Sequence, residues 1–537
     1  MVAFLLLLYL TRAQWFFDDE WEVIANRGFA GHPLNLFFPH NEHWSTIPIL
    51  IYRGLFALFG LHSYLPYMFV LLVLHVAVAH TLWRLMIRAG ADQWVATVLV
   101  AVFLVLGAGY EDLTWAFQLA WLASILCGLV GLYLVDHDAP FGWKDVAGWG
   151  VLIAGLMSSG IGVTMVAMVG AAALLRRGPR AGLAIISVPA VVYAVWLLAV
   201  GRNGIGGVPI SRTGFLLWGD FIWRGLTVTV EGISGLAGFG AVAIVGIFVW
   251  LAVHWRDART AGPVFAGAAG AAVFFLIVGV GRVSLGVDQA TAPRYIYIGA
   301  ALLLPSVGFV TSSLARRDRV AQLAAVALLA FGALHGLAVL VNQELAFAVV
   351  KQQSKRDILA SAGLVSAGTA LIGDHPDPRW APDLTVQELA EMQAEGKLPA
   401  ADDVNDTDRL DALLALEVAV GDTPALAQAA SVTVVAGTGG FLGAGPGGCI
   451  RAITFGGKHY VTLRFSTPGY VEIHAPAGEV EEATLTSASR AGTSNPRRLT
   501  FPSGAAAFLS SQVSPSRLTL NVSATSIDIC GVVAQQP

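Results

Sequence analysis

The chain has 537 residues, of which 56% are hydrophobic and only 13% are charged, whereas an average soluble domain is about 25% charged. Its mean hydropathy is +0.67 and its formal net charge is −4. These values exclude an ordinary soluble globule, and a slightly acidic chain does not present the basic face of a nucleic-acid-binding protein. The composition therefore predicts a protein that lies largely in membrane lipid and has no nucleic-acid partner.

Apolar runs recur along the chain to about residue 341 and then stop. A helix needs about 20 apolar residues to cross about 30 Å of hydrocarbon. The pattern therefore predicts a polytopic α-helical membrane domain over 1–341 with about eleven transmembrane helices. The predicted spans are 2–17, 65–87, 94–109, 117–135, 147–157, 163–175, 182–200, 238–254, 263–280, 295–313 and 320–341.

Two regions of this pattern are irregular. Only the first ten residues of the first span are cleanly apolar before Arg12, so we expect a start site placed too late or a trimmed N-terminus. The short spans 147–157 and 163–175 meet at a Ser- and Gly-rich segment, residues 158–162. They are interpreted as two half-length helices around an irregular turn, which a membrane tolerates only where protein or a water-filled cavity surrounds it.

Arginines and lysines concentrate in alternate loops, for example at Arg88, Arg176 and Arg316. By the positive-inside rule these loops are cytoplasmic. The opposite loops, 18–64, 110–116, 201–237 and 281–294, are then exterior or periplasmic. An odd number of spans places the C-terminal tail on that side too.

The tail changes its pattern at about residue 430. Residues 342–430 have apolar side chains at helical spacing, and 431–537 alternate with period two between turn residues, which predicts a helical exterior segment followed by an antiparallel β-sandwich. Cys449 and Cys530 both lie in the β region. A disulfide between them would close a loop of about 80 residues and contribute about 4–5 kcal/mol in the chain-entropy model; the alternative is two unrelated buried thiols.

Charged residues of the first and second predicted exterior loops are candidate functional groups, because crowded carboxylates at a membrane surface titrate, bind a cation or transfer protons. The alternative is a solvated loop start beside an aromatic interfacial belt. These residues are Asp18, Asp19, Glu20, His40, Glu42, His43, Glu111 and Asp112.

The loop 281–294 supplies Arg282 and Arg294, and Tyr295 follows it. Arginine suits bidentate phosphate binding, although a single arginine at a membrane edge is more often an ordinary snorkelling side chain. The sequence contains no Walker A loop, HExxH helix or GxSxG elbow. It also lacks charges strung through successive spans, as an ion pathway would require.

Together, Asp19-Glu20-Trp21, the run from His40 to His43, Trp115 to Gln118, and Pro293-Arg294-Tyr295 resemble the GT-C superfamily of membrane glycosyltransferases, specifically an uncharacterised bacterial group. The resemblance covers about 1–341. It implies a bacterial inner- or plasma-membrane enzyme that moves a sugar, with inversion, from a polyprenyl-phosphate donor to a glycan or glycolipid acceptor of the cell envelope.

The resemblance also implies roles for individual residues. Asp19 first, or Asp18, would act as the base that deprotonates the acceptor hydroxyl, with Glu20 a distant third. Glu20, His40, Glu42, His43, Glu111 and Asp112 would bind the acceptor or a metal, and Arg282, Arg294 and Tyr295 would hold the donor phosphate. A divalent cation, Mg²⁺ or Mn²⁺, is permitted without being required.

Two other functions remain open. A lipid-linked-sugar flippase or transporter would need a path across the bilayer, for which the break at 158–162 is the only candidate. A polysaccharide polymerase or ligase differs little in sequence from a single-sugar transferase. In the tail, Tyr460, Tyr470 and His474 are candidates for glycan binding, although such residues are more often strand-core aromatics.

Overall fold

The computed structural model describes residues 2–29, 33–204, 212–369, 373–420, 428–429, 431–436, 440–454, 459–474, 481–489, 492–501, 506–511, 516–522 and 526–534. The chain forms two compact units. The membrane unit comprises Met1–Gln14, Gly31–Ala57 and Tyr64–Val349, and the tail unit comprises Trp15–Ala30, Leu58–Ser63 and Val350–Pro537.

Helices dominate the chain as far as residue 416. They are α1 Val2–Leu10, α2 Thr46–Phe59, α3 Leu65–Arg88, α4 Gln93–Leu104, α5 Glu111–Thr114, α6 Leu119–Val135, α7 Trp143–Leu156, α8 Ile161–Arg177, α9 Pro179–Ala199, α10 Arg212–Ser234, α11 Phe239–Val253, α12 Gly262–Arg282, α13 Pro293–Ala315, α14 Arg319–Ser366, α15 Val386–Ala394 and α16 Asp406–Leu416. Sequence signals fix several ends: Pro293 starts α13, and Thr385 with Glu388 forms a capping box on α15.

Within the described residues, six helices are long and apolar enough to cross a membrane, or seven if the bent pair α10 and α11 is one span. The predicted membrane character is therefore supported, whereas the count of eleven spans remains a prediction. Residues 201–237, predicted as a loop, contain the 23-residue helix α10. Its interior charges, Asp220, Arg224 and Glu231, lower the hydropathy that the span prediction relied on.

Ion pairs in the membrane unit connect loops of the same predicted side. Asp136 is shared by Arg88 at 3.3 Å and Arg176 at 2.9 Å, and Arg316 pairs with Asp92 at 2.7 Å. All of these loops were predicted to be cytoplasmic. The loops predicted to be exterior are also connected to one another by ion pairs, Glu42 with Arg282 and Glu111 with Arg294.

The predicted break between α7 and α8 is present. Ser158 and Ser159 are buried there, and the Ile47 N–H donates to the Met157 carbonyl at 3.1 Å. Neighbouring protein therefore surrounds and hydrogen-bonds the irregular backbone, as a break within a membrane domain requires.

The tail unit contains a β region of two sheets. The strands are β1 Val418–Val420, β2 Val432–Ala436, β3 Gly440–Ala444, β4 Ile450–Thr454, β5 His459–Phe465, β6 Gly469–His474, β7 Glu481–Ser489, β8 Gly492–Thr493, β9 Arg497–Phe501, β10 Ala506–Ser511, β11 Ser516–Val522, β12 Ser526–Cys530 and β13 Val533–Ala534.

One sheet has the order β1-β10-β6-β12-β4-β3, and the other β13-β2-β5-β11-β7-β8 with β9 also paired to β7. All pairs are antiparallel except β13 with β2. Residues of both sheets, including Leu463, Leu518, Ile473 and Ile529, form one hydrophobic core. Cys449 and Cys530 form a disulfide, which confirms the predicted pairing.

Candidate functional site

Two arginine–carboxylate pairs form the centre of a charged cluster in the membrane unit. Arg282, the last residue of α12, lies with its Nη2 3.1 Å from Oε1 of Glu42. Arg294, the second residue of α13, lies with its Nη1 3.6 Å from Oε2 of Glu111. Helices α12 and α13 pack against each other and are joined by only ten residues. The end of α12 therefore lies near the start of α13, and both arginines are at the same end of the helix pair.

A tight turn presents Glu42 and His43. The backbone N–H groups of His40 and His43 each donate to the other residue's carbonyl at 2.9 Å, and Asn41 adopts a left-handed conformation with φ of 49°. Asparagine is one of the few residues other than glycine that adopt this conformation readily. The closed turn directs Glu42 towards Arg282 and places the His40 ring 5.3 Å from that of Phe117, between ring centroids.

His43 occupies a confined position next to the α7–α8 break. A Cβ atom at Gly160 would lie 2.6 Å from Nδ1 of His43, so a larger residue there would force the ring to shift. Burial lowers the pKa of His43 to about 4, against the opposing effect of Glu42 and with smaller contributions from His40 and Arg282. The ring is therefore neutral at neutral pH, so it can orient an acceptor by hydrogen bonding but does not neutralise phosphate charge.

Asp112 is the most deeply buried carboxyl group of the cluster, with none of its side chain exposed. Within the described part of the chain, neither carboxyl oxygen has a hydrogen-bond partner. Burial raises the pKa of Asp112 well above its usual range, neighbouring Glu111 raises it further, and Arg294 opposes both. Burial therefore favours the neutral, protonated form of this carboxyl group, which can donate a hydrogen bond.

Aromatic rings connect the two arginine–carboxylate pairs. The Trp121 ring stacks on Tyr295 with centroids 5.9 Å apart, and its centroid lies 6.4 Å from that of His43. The Arg294 guanidinium lies 5.6 Å from the Tyr295 centroid. Sequence reasoning missed Trp121; the available signal was its position about one helical turn after Gln118, the last residue of a stretch that supports the family resemblance.

We call the set Glu42, His43, Glu111, Asp112, Arg282 and Arg294, with His40, Trp121 and Tyr295, the arginine–carboxylate cluster. It contains all the predicted phosphate-binding residues and all the predicted acceptor-binding residues except Glu20. The histidines and charged residues of the set come from three loops that are distant in sequence and were all predicted to be exterior, whereas Trp121 and Tyr295 lie in predicted spans next to those loops.

The predicted base residues lie in the tail unit. Asp18 and Asp19 are half-buried in a turn in which the Trp21 N–H donates to the Asp18 carbonyl at 3.0 Å. Glu20 is fully buried, and its Oε2 accepts a hydrogen bond from the Phe17 N–H at 2.9 Å. This contact gives Glu20 a role in holding the turn together.

A metal site receives no support from the described residues, because no group of three or more His, Cys, Asp or Glu side chains there is arranged to hold an ion. In the tail unit, Tyr460 is 50% exposed on β5, whereas Tyr470 and His474 lie on β6 of the other sheet. Tyr470 packs edge-on against Phe508, and Nε2 of His474 lies 2.9 Å from Oε1 of Glu472. The three predicted glycan-binding residues are thus divided between two sheets.

No protein-family model matches the chain, and no curated protein or solved structure shows significant similarity to it. The resemblance to GT-C glycosyltransferases therefore rests on the residues of this chain alone.

Proposed function

We propose that the protein is an integral-membrane glycosyltransferase of GT-C type that moves a sugar from a polyprenyl-phosphate donor to a cell-envelope glycan or glycolipid, with inversion. The observation that supports this most directly is the cluster itself. Two arginines at the ends of apolar helices meet two carboxylates, beside a buried carboxyl group whose pKa is raised and an imidazole whose pKa is lowered. This combination suits a lipid phosphate that leaves and a hydroxyl group that attacks.

Arg282 and Arg294 would bind the donor phosphate. A guanidinium group matches phosphate geometry with two parallel donors. Each arginine is partly exposed, at 39% and 36% of its side chain, and is paired with a carboxylate that an incoming phosphate can replace. As the bond between the anomeric carbon and the phosphate oxygen breaks, the two cations stabilise the negative charge that collects on the departing phosphate.

The acceptor hydroxyl oxygen attacks the anomeric carbon from the opposite side and gives its proton to a base. We assign that role to Asp19 or Asp18, the residues to which the GT-C resemblance gives it, because a carboxylate can accept the proton of the attacking hydroxyl group. Asp112, whose pKa is raised by burial, is less suited to this role and would donate a hydrogen bond to the acceptor instead.

The membrane arrangement supports an active site on one side only. The loops that form the arginine–carboxylate cluster all have the same predicted sidedness, and the loops joined by Arg88, Arg176 and Arg316 have the other. We propose that the cluster faces the exterior or periplasm of a bacterial cell, that the chain crosses the membrane an odd number of times, eleven in our count, and that the tail unit is exterior and its β region a sandwich.

The decisive experiment measures release of polyprenyl phosphate from a panel of polyprenyl-phosphate sugars by the protein in lipid nanodiscs. We expect acceptor-dependent release that Arg294→Gln or Arg282→Gln lowers about 100-fold, the usual effect of removing a charge-stabilising donor. One of Asp19→Asn and Asp18→Asn should abolish it. The matched control is Arg316→Gln, which removes an arginine–carboxylate pair at the other end of α13.

Two results would contradict this proposal. Release that is equally high in Arg294→Gln and Arg316→Gln would remove the phosphate role of the cluster. No release from any donor, together with tight donor binding that survives both aspartate substitutions, would favour transport over transfer.

A further inference from the structure

The turn that carries the predicted base is packed within the tail unit, against residues far along the chain. Phe17 stacks on Trp380 with ring centroids 4.9 Å apart and planes inclined by 29°. The next residue, Asp18, donates its backbone N–H to the Trp380 carbonyl at 2.7 Å. One tryptophan therefore contacts the turn through both its ring and its backbone.

Lysines of α14 fix the aromatic residues that precede the acidic pair. Nζ of Lys351 lies 5.3 Å from the Phe17 ring centroid, and Nζ of Lys355 lies 4.8 Å from that of Trp15. Lys351 is almost fully buried, with 1% of its surface exposed. A cation held against an aromatic ring away from water is a stronger contact than one at the surface, so this packing restricts the turn.

Trp380 is itself held in place by α14. Asp377 accepts hydrogen bonds through Oδ1 from the backbone N–H groups of Arg379 and Trp380, at 3.3 and 3.2 Å. Its other carboxylate oxygen accepts the Ser354 hydroxyl proton at 2.6 Å. Because Ser354 lies on α14, this helix fixes Asp377 and, through it, Trp380. Trp380 then contacts Phe17 and Asp18.

The turn adopts a conformation that local sequence does not favour strongly. Asp18 has a positive φ of 52°, in the left-handed region. Residues other than glycine adopt this region rarely, asparagine and aspartate being the main exceptions, so the surrounding contacts help to hold the turn there. Loss of the Trp380 contacts would therefore let the turn relax towards ordinary backbone angles and move Asp18 and Asp19.

We propose that Trp380 is a positioning residue for the catalytic base. This inference rests on the proposed function, because it assigns Asp18 and Asp19 the role of base. It assigns Trp380 no contact with the substrate.

The test compares Trp380→Ala with the conservative Trp380→Phe in the full-length protein in nanodiscs. A control is Phe441→Ala, which removes an exposed aromatic ring from β3 of the same unit. Steady-state release of polyprenyl phosphate gives kcat and the donor KM, and amide hydrogen exchange of the peptide spanning 15–21 reports on the turn itself.

We expect Trp380→Ala to lower kcat about 10–100-fold, as displacement of a reacting group by about 1 Å does, and to leave the donor KM within about twofold of wild type. Exchange at 15–21 should accelerate in this variant, and Trp380→Phe should restore both values. Wild-type kcat in Trp380→Ala would overturn the inference, as would an equal loss in both variants without faster exchange. A wild-type protein that releases nothing from any donor would instead overturn the proposed function.

Discussion

Arg282 and Glu42 are 240 positions apart in the sequence, and Nη2 of Arg282 donates a hydrogen bond to Oε1 of Glu42 at 3.1 Å. Both side chains are more than a third exposed, so the pair contributes little to stability, at most about 1 kcal/mol. A contact this weak is readily exchanged for a contact with a phosphate group. Glu42 therefore competes with the proposed donor for Arg282.

From this competition we predict that Glu42→Gln binds polyprenyl phosphate up to about fivefold more tightly than wild type, whereas Arg282→Gln binds it more weakly. Equilibrium binding to the nanodisc-embedded protein measures both. Asp92→Asn, which breaks the exposed pair with Arg316, is the control and should leave the affinity unchanged. Weaker binding in Glu42→Gln would mean that Glu42 itself helps to hold the ligand.

Gly160 provides a steric test of His43. Alanine at this position would place its Cβ atom 2.6 Å from Nδ1 of His43, so the ring must move. We expect Gly160→Ala to lower stability by about 1–3 kcal/mol, as overpacking does, and to reduce polyprenyl-phosphate release. Thermal unfolding and the release assay measure the two effects.

The matched control for that variant is Gly150→Ala, because a Cβ atom at Gly150 on α7 meets nothing within 4 Å. Alanine there should be neutral or stabilise the helix by up to about 1 kcal/mol. Equal behaviour of the two variants would show that His43 is free to move without consequence.

Asp112 predicts a pH dependence of stability. Its pKa is raised above the unfolded value of 3.8, so the folded protein holds this proton more tightly than the unfolded chain does. The tighter binding of the proton adds to the free energy of unfolding. This added stability is fully present below pH 3.8 and is lost as the pH rises through the raised pKa of the folded protein. Asparagine has nearly the same shape as a protonated aspartic acid and cannot ionise. Asp112→Asn should therefore not lose stability in this way as the pH rises.

We therefore expect the Tm of Asp112→Asn, relative to wild type, to increase as the pH is raised from 5 to 9. Asp257→Asn, at an exposed carboxylate of the membrane unit, should show no such trend. A Tm difference that is constant across this range would mean that Asp112 is ionised in the folded protein at all of these pH values.

The disulfide predicts that the tail unit is sensitive to reduction. Cys449 and Cys530 are 81 positions apart, and a loop of this size contributes about 4–5 kcal/mol in the chain-entropy model. Cys449→Ser should therefore destabilise the β region by about that amount, and added reductant should have no further effect. Denaturant unfolding with and without reductant tests both statements, and Cys127→Ser, at the free cysteine, should keep wild-type sensitivity.

Much of the secondary structure followed from local pattern. The apolar runs predicted the long helices α3, α6, α9, α12 and α13 because each is nearly continuous in hydropathy. The period-two alternation predicted strands such as β6, whose residues alternate between buried and half-buried. The pattern failed at α10, where charges interrupt the helix, and at α14, which continues to Ser366, 25 residues beyond the predicted span.

The sequence predicted many of the residues of the candidate site. It did not predict which of them lie next to one another in the folded protein. Scarcity of charge alone identified Glu42, Asp112, Arg282 and Arg294, since few charged groups are tolerated near lipid. Trp121 and Trp380 gave no comparable signal, because an aromatic residue in an apolar or interfacial segment is ordinary there.

By itself, the sequence determined that the protein belongs in a membrane and that a helical part precedes a β part, because hydrophobic transfer and backbone periodicity act locally and add along the chain. Only the tertiary structure decided which distant groups meet. Glu42 with Arg282, Glu111 with Arg294, and Phe17 with Trp380 are brought together by the packing of whole elements. The same packing determines which carboxyl group is removed from water, and therefore that the pKa of Asp112 is raised.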